Sequence, residues 1–258
     1  MKLSNQPFFL EPSTTIDHVC LLLHGLGGGV YEMQLLGEYL HQLGFAVQGI
    51  NYPGHDQLAV KMPASRWQQW YEYVEETYHK LSQKYANVTV IGFSTGCPLA
   101  LYLAINHPLK NLVLLSPFLS LRHQWYYLLP LEAYLFSIGY LITEVPRLYG
   151  LRRLAKDDVA HKAVEEVAFQ TFNLAAVRSA IELINRIKPL LPQIDEPTLI
   201  IQSPNDRVVD PEGARFIYQQ LSSKRKKLYW LKNSDHIISL DVEREEVFAQ
   251  IKDFLLPS

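Results

Sequence analysis

The chain alternates short apolar runs, rich in β-branched residues, with longer runs that carry apolar residues at helical spacing. The short runs predict buried strands and the longer ones predict amphipathic helices. The predicted strands lie near residues 17–23, 45–51, 87–93, 111–116, 197–203 and 227–232. The predicted helices lie near residues 30–43, 64–85, 96–107, 211–222 and 241–255. This alternation predicts an α/β fold with a mainly parallel central sheet and helices on both faces.

The interval from 118 to 194 interrupts the alternation. It is longer than one crossover helix needs, it is helical in character, and its sequence contains no clear strand. We therefore predict a helical cap, or lid, of residues 118–194 inserted into a core formed by residues 1–117 and 195–258. A cap over the strand ends would shape a substrate pocket and exclude water.

Residues 125–142 of this interval are strongly apolar, with the sequence WYYLLPLEAYLFSIGYLI. Three interpretations stay open: a cap helix that lines an acyl pocket, ordinary packing of cap on core, and a membrane-spanning helix. Pro130, Glu132 and Gly139 argue against the spanning helix. Transient docking on lipid would require part of this surface to be exposed.

A Gly-x-Ser-x-Gly pentapeptide, residues 92–96, joins a predicted strand to a predicted helix. At such a junction the pattern is typical of a nucleophile elbow, a strained turn that lifts the hydroxyl of Ser94 clear of the sheet. Gly92 and Gly96 leave room that larger side chains would fill. The pentapeptide alone is a weak signal, so its context must support it.

Three further strand ends supply that context. A predicted strand runs directly into a glycine-rich loop over residues 24–29, His-Gly-Leu-Gly-Gly-Gly. Asp206 follows the strand near 197–203, and His236 follows the strand near 227–232. The chain order is therefore nucleophile, acid and base, and each candidate lies where open α/β sheets bind ligands.

With these motifs the chain resembles the α/β-hydrolase family, and within it the small carboxylesterases and monoacylglycerol lipases. The matching segments extend across nearly the whole chain: residues 24–27, 52–56, 92–96, 204–206 and 234–238. The resemblance implies an α/β-hydrolase fold and a serine hydrolase that cleaves short- to medium-chain acyl esters or monoacylglycerols. One departure is Thr95, since such enzymes usually carry Leu or Met after the serine.

The resemblance also implies a mechanism. Ser94 would attack the acyl carbonyl, His236 would accept its proton, and Asp206 would orient the imidazole. The oxyanion would be bound by the backbone N–H groups of Leu26 and Thr95. Residues expected to bind substrate are Gly25, Trp125 and Tyr126. No metal or redox cofactor is expected, because the sequence lacks H-E-x-x-H and paired C-x-x-C motifs.

Other residues near these motifs are predicted to have structural roles. His24 and His55 are expected to order loops, and His107 is expected to end a helix. Asp210 is expected to cap a helix, and Asp235 is expected to be badly placed for orienting the base. Glu32 and Asp56 are expected to lie on the surface or in loops. Two alternatives stay open. One is a thioesterase, amidase, acyltransferase or C–C hydrolase on the same scaffold, and the other is a non-catalytic binding protein.

Composition adds little to this hypothesis. The chain has 258 residues, of which 48% are hydrophobic, which suits one enzyme domain. Its net charge of −2 gives no reason to expect nucleic acid as a partner. The basic run 224–227 is interpreted as a solvated turn. Cys20 and Cys97 are predicted to be buried thiols, and residues 1–15 carry no signal-peptide pattern, so a cytoplasmic location is expected. Oligomeric state is not predicted.

Overall fold

A computed structural model describes residues 2–12, 17–56, 60–122, 133, 135–137, 141–146 and 155–256. The described strands are β1 (Phe8–Leu10), β2 (His18–Leu23), β3 (Ala46–Gly49), β4 (Asn87–Phe93), β5 (Asn111–Leu115), β6 (Glu144–Pro146), β7 (Thr171–Asn173), β8 (Thr198–Gln202) and β9 (Lys226–Trp230). Seven of them form one sheet in the order β1-β3-β2-β4-β5-β8-β9. Every neighbouring pair in this sheet is parallel except β1 with β3.

The described helices cover both faces of the sheet. They are α1 (Gln34–Gln42), α2 (Trp67–Lys84), α3 (Gly96–Asn106), α4 (Asp158–Val167), α5 (Leu174–Ile187), α6 (Glu212–Gln220) and α7 (Arg244–Leu255). Alternate residues of the central strands enter opposite cores. In β2, Leu21 packs with α2, α3, α5 and α6, whereas Leu22 packs with α1 and α7. Helices on both faces explain why the central strands are almost wholly apolar. The predicted α/β fold, with a mainly parallel central sheet and helices on both faces, is confirmed.

The interval 118–194 differs from its prediction in one respect. Its sequence shows no clear strand, yet β6 and β7 pair there as a two-stranded antiparallel ribbon. Each strand has three residues, which is too short for a period-of-two pattern to be recognised. Helix α5, at the end of the interval, packs against α2 and α3 with its buried face in the same core. The division of the chain into cap and core stays a prediction.

Most of the apolar segment 125–142 lies outside the described residues, including Trp125 and Tyr126. Three of its described side chains are exposed: Phe136, Leu141 and Ile142. Among the described helices, none combines the length and apolar character that a membrane crossing needs. Cys20 and Cys97 are buried free thiols, as predicted.

Candidate active site

Ser94 lies in the sharp turn between β4 and α3. Its φ is +52°, a left-handed conformation that a non-glycine residue adopts only when the surrounding structure enforces it. Three backbone hydrogen bonds enforce it here. The Ser94 N–H donates to Leu115 O at 2.9 Å, and the Ser94 carbonyl accepts from Cys97 N and Phe118 N at 3.0 and 3.2 Å. The predicted elbow geometry is therefore present, and the serine is held against the end of β5.

The two glycines of the elbow are required by close backbone contacts. A Cβ on Gly96 would lie 2.3 Å from Leu23 O, and a Cβ on Gly92 would lie 2.5 Å from Gly96 O. Both obstructing atoms belong to the backbone, so they cannot rotate away.

We expect Gly96→Ala to destabilise the fold by about 4 kcal/mol or more, since the elbow would have to move away from β2. Thermal unfolding of the purified variant measures this. The matched control is Ala104→Gly on the same helix, which should cost only about 1–2 kcal/mol. Equal losses in the two variants would show that Gly96 is not sterically constrained.

Ser94, His236 and Asp206 form a continuous hydrogen-bonded chain. His236 Nε2 is 3.0 Å from Ser94 Oγ, and His236 Nδ1 is 2.8 Å from Asp206 Oδ2. All three residues are buried, with Ser94 the most exposed at 7%. They follow β4, β9 and β8, at the carboxyl edge of one sheet. The three residues predicted from chain order are thus brought together.

The Asp206 carboxylate is saturated with donors. Oδ1 accepts from the N–H groups of Val208 and Val209 at 2.8 and 3.0 Å, while Oδ2 accepts from Gln202 Nε2 at 3.1 Å as well as from His236. Burial alone would raise the pKa of Asp206. The charge and hydrogen bond of His236, with the two backbone donors, lower it below its usual value instead. The carboxylate is therefore ionised and fixed in orientation.

His236 shows the complementary shift. Burial alone would lower the pKa of this imidazole, but the charge and hydrogen bond of Asp206, with Glu32 and Asp235 nearby, raise it above its ordinary value. The shift favours an imidazolium, the species that forms when His236 accepts a proton. Protonation of the free site blocks the ring as a base, so base function requires pH values above this raised pKa.

The loop that carries His236 is anchored on two sides. Ser116 Oγ donates to the His236 carbonyl at 2.9 Å from the end of β5, where Ser116 has a φ of +46°. The buried Asp241 carboxylate accepts from Asp235 N at 2.6 Å and from Val242 N at 2.8 Å. The same carboxylate accepts from the N–H groups of residues 156 and 157, at 2.6 and 3.0 Å. Asp241 therefore connects the histidine loop to the interval before α4.

Glu32 was predicted to be a surface or loop acid, and this prediction is wrong. It lies in a 3-10 turn, Val30–Met33, and is only 2% exposed. Its Oε2 accepts from Gly25 N at 2.8 Å, and its carboxylate fills the space beside Gly28. Ser239 Oγ donates to the Glu32 carbonyl at 2.6 Å. The glycine-rich loop is thus held from below by a buried acid. No motif marked Glu32, although a lone acid among apolar residues after a glycine loop could have been flagged.

Of the two predicted oxyanion donors, Thr95 follows Ser94 directly in the chain and Leu26 follows Gly25. Gly25, next to Leu26, lies so close to Ser94 that a Cβ on it would be 3.2 Å from the Ser94 Cβ. Thr95 directly precedes the first residue of α3. Within the described ranges, the N–H groups of Leu26 and Thr95 make no backbone hydrogen bond outside helices and strands. The positive end of the α3 dipole also favours negative charge here.

The three histidines with predicted structural roles, His24, His55 and His107, lie in loops or at a helix end. His24 is buried with Nδ1 2.8 Å from Gly25 O, and burial lowers its pKa well below its usual value. His55 Nε2 accepts from Gly27 N at 3.1 Å. Both rings therefore order the glycine-rich loop. His107 immediately follows α3.

The other acids also have partners. Asp210 Oδ1 accepts from Glu212 N at 3.1 Å, at the start of α6. Asp235 binds Arg207, whose Nε lies 2.6 Å from Asp235 Oδ2, rather than the neighbouring His236 ring. Asp56 is an exposed loop acid that accepts from Gly54 N.

The β6–β7 ribbon contacts the glycine-rich loop. Gly27 has a φ of +65°, and a Cβ there would lie 2.7 Å from the Phe172 ring of β7. Thr171 Oγ1 accepts from Met62 N at 3.3 Å, and Lys61 pairs with Glu144 at 3.2 Å. The interval 118–194 therefore reaches the rim of the site. Gly25 lies beside Ser94, whereas Trp125 and Tyr126 fall outside the described residues.

Comparisons with known proteins show which family the chain belongs to. Residues 14–243 match the family Hydrolase_4, described as serine aminopeptidase S33. The chain is 28% identical over 250 residues to a thermostable monoacylglycerol lipase of Bacillus sp. (strain H-257), covering 96% of this chain and 93% of the relative. It is 24% identical over 241 residues to a carboxylesterase of Bacillus subtilis (strain 168), covering 93% and 92%.

Solved structures show the same fold. A metagenome-derived lipolytic enzyme superposes with a TM-score of 0.84 at 24% identity, with 99% of each chain covered. The monoacylglycerol lipase of Paleococcus ferrophilus gives a TM-score of 0.80 at 21% identity, covering 99% of this chain and 98% of that one. The predicted resemblance to carboxylesterases and monoacylglycerol lipases is confirmed. The chain belongs to the serine aminopeptidase S33 (Hydrolase_4) family of α/β-hydrolases.

Proposed function

We propose that this protein hydrolyses carboxylic esters, with Ser94 as nucleophile, His236 as general base and acid, and Asp206 as the acid that orients the histidine. The observation that supports this most directly is the buried chain of hydrogen bonds from Ser94 Oγ through His236 to Asp206, at 3.0 and 2.8 Å. The esterase and lipase names of the relatives support an ester as the bond that is cleaved.

In the first half-reaction Ser94 Oγ attacks the acyl carbonyl carbon while its proton passes to His236 Nε2. Asp206 accepts the Nδ1–H, which keeps Nε2 free to accept and stabilises the imidazolium. His236 then returns the proton to the departing alcohol oxygen. The carbon–oxygen bond breaks and an acyl-Ser94 ester remains.

Water completes the cycle. His236 Nε2 accepts a proton from the water as its oxygen attacks the acyl carbonyl, and it returns that proton to Ser94 Oγ as the acid leaves. In both halves the tetrahedral oxyanion would accept from the N–H groups of Leu26 and Thr95. Each such donor contributes about 3 kcal/mol to lowering the barrier.

The interval 118–194 is proposed to act as a cap that binds the acyl group. Its ribbon packs on Gly27, and the described apolar side chains of residues 136, 141 and 142 are exposed. An apolar cap over a polar triad suits an acyl chain of short to medium length, including that of a monoacylglycerol. Trp125 and Tyr126 remain proposed substrate contacts.

A chain-length series of p-nitrophenyl esters, together with a monoacylglycerol series, tests the proposed activity. Turnover of at least one ester is expected, and the optimum reports the depth of the acyl pocket. The family description also names a peptidase, so an amide and a thioester with the best acyl group should be compared with the ester. Faster amide or thioester turnover would reassign the reaction, and turnover of none would favour a binding protein.

Glu32 offers a sharper test of the site. In Glu32→Gln the amide oxygen can still accept from Gly25 N, but the charge that helps to raise the pKa of His236 is gone. We therefore expect the acid limb of kcat/KM to move to lower pH with kcat largely kept. In Glu32→Ala the hydrogen bond from Gly25 N is also lost. We expect kcat to fall by about 100-fold, because the glycine-rich loop that carries the proposed donor Leu26 is no longer held.

Full pH profiles of the two Glu32 variants measure both effects. Glu38→Gln, which removes an exposed acid that pairs only with Gln34 in the described contacts, is the matched control. An unchanged acid limb in Glu32→Gln would mean that the Glu32 charge does not act on His236.

A further inference from the structure

Away from the triad, three side chains that can bind metal converge beside the end of α3. Glu75 and His79 lie one turn apart on α2, and His107 directly follows α3. One possible ligand atom from each residue lies within 4.8 Å of the other two. His107 Nε2 is 2.7 Å from Glu75 Oε1, and the rings of His79 and His107 are nearly perpendicular. We propose that these three residues bind one divalent transition-metal ion, with Zn²⁺ as the best match.

The ligand set determines the metal. Two imidazoles and one carboxylate suit zinc, whereas magnesium and calcium take oxygen ligands. Zinc binds such ligands at about 2.0–2.2 Å in a tetrahedron, so the ligand atoms lie about 3.3 Å apart. On metal binding, Glu75 Oε1 and His107 Nε2 must therefore move slightly apart, and the His79 ring must move toward both of them. The His79 side chain is exposed and can rotate, and the fourth position is left for water.

Neighbouring tyrosines hold two of the ligands in place. Tyr71 Oη donates to Glu75 Oε1 at 2.8 Å. The Tyr78 ring lies 5.1 Å from the His107 ring, and its hydroxyl donates to Pro108 O at 2.7 Å. Such outer contacts orient metal ligands and strengthen binding. Glu75 and His107 are therefore largely positioned before the ion binds. Because His79 is exposed, an ion can reach the cluster from solvent on that side.

The position of the cluster separates it from the proposed catalysis. Helix α3 begins beside Ser94 and ends at Asn106, and its 11 residues span about 16 Å. A metal ion at His107 therefore lies at the far end of this helix from the nucleophile. It would link α2 to the end of α3 and stabilise that layer. This inference does not rest on the proposed function.

Calorimetric titration of the EDTA-treated protein with Zn²⁺ tests the site. We expect the wild type to bind one equivalent more than His79→Ala, and Zn²⁺ to raise the Tm of the wild type but not of this variant. Tyr71→Phe should weaken binding by about 10-fold. Co²⁺ at the same site should give the visible absorption of a tetrahedral complex, and this absorption should be missing in His79→Ala.

The matched control is His161→Ala. His161 and Glu165 form a pair of the same spacing on α4, with Nε2 3.4 Å from Oε1, and among the described residues no third metal-binding side chain joins them. Zn²⁺ binding should be unchanged in this variant. Equal stoichiometry and affinity in wild type and His79→Ala would overturn the proposal, as would absence of binding to the wild type or an equal loss in His161→Ala. Circular dichroism of each variant verifies folding.

Discussion

Replacing Ser94 by alanine is expected to lower kcat/KM for the best ester by about a million-fold, because the proposed attacking oxygen is removed while the rest of the site stays. Within the part of the chain that the structure describes, the Ser94 hydroxyl makes only one hydrogen bond, to His236 Nε2, so the variant should fold normally. Ester turnover and labelling by a fluorophosphonate probe measure the effect. Mass spectrometry should place the wild-type adduct on Ser94, and the adduct should be absent in Ser94→Ala.

Ser116→Ala is the matched control for this experiment. Ser116 is also buried and also has a positive φ, but its hydroxyl donates to the His236 carbonyl rather than to the ring. Loss of that hydrogen bond costs about 1 kcal/mol, so activity should fall by less than about 10-fold and labelling should persist. A Ser94→Ala protein that still hydrolyses esters at the rate of Ser116→Ala would exclude Ser94 as the nucleophile.

Replacing Asp206 by asparagine is expected to lower kcat by about 10⁴-fold. The reason lies in the donors around the carboxylate. The N–H groups of Val208 and Val209 would retain the amide oxygen at the Oδ1 position, which turns the new NH₂ group toward His236 Nδ1. Nδ1 must then accept, so the ring proton moves to Nε2, and Nε2 can no longer accept a proton from Ser94.

Asp210→Asn and Asp235→Asn are the matched controls for the acid. Asp210 lies at the start of α6, and Asp235 binds Arg207, so neither orients the His236 ring. Steady-state kinetics should give losses of only a few-fold for Asp210→Asn. A loss in either control as large as that in Asp206→Asn would move the orienting role to that residue.

The sequence predicted the central sheet closely because its strands are long apolar runs bounded by turns. The predicted strand near 87–93 is β4, Asn87–Phe93, without any shift. The strands that the sequence did not predict are short. Strand β1 has three residues at an antiparallel edge, and β6 and β7 exist only because they pair with each other across 24 intervening residues or more. Long-range pairing of this kind leaves no local pattern to detect.

Within the site, the residues proposed to carry the chemistry were predictable and those that hold them were not. Ser94, Asp206 and His236 each follow a strand within a recognisable motif, and the structure brings them within hydrogen-bond distance. Glu32 and Gln202 have no such motif. Their roles depend on contacts made in three dimensions, Glu32 with a backbone N–H and Gln202 with the Asp206 carboxylate, and sequence spacing contains no such information.

The contacts of Asp241 also have a consequence for how the chain is made. A ribosome delivers residues 156 and 157 long before their acceptor, which lies 85 and 84 residues further along. The separation is larger for Ser94, because its hydrogen-bond partner His236 is synthesised 142 residues later. Because N-terminal segments emerge first, nascent chains that end before residue 236 would contain the elbow sequence without the proposed base and would have no esterase activity. Esterase activity would therefore begin only after synthesis has passed residue 236.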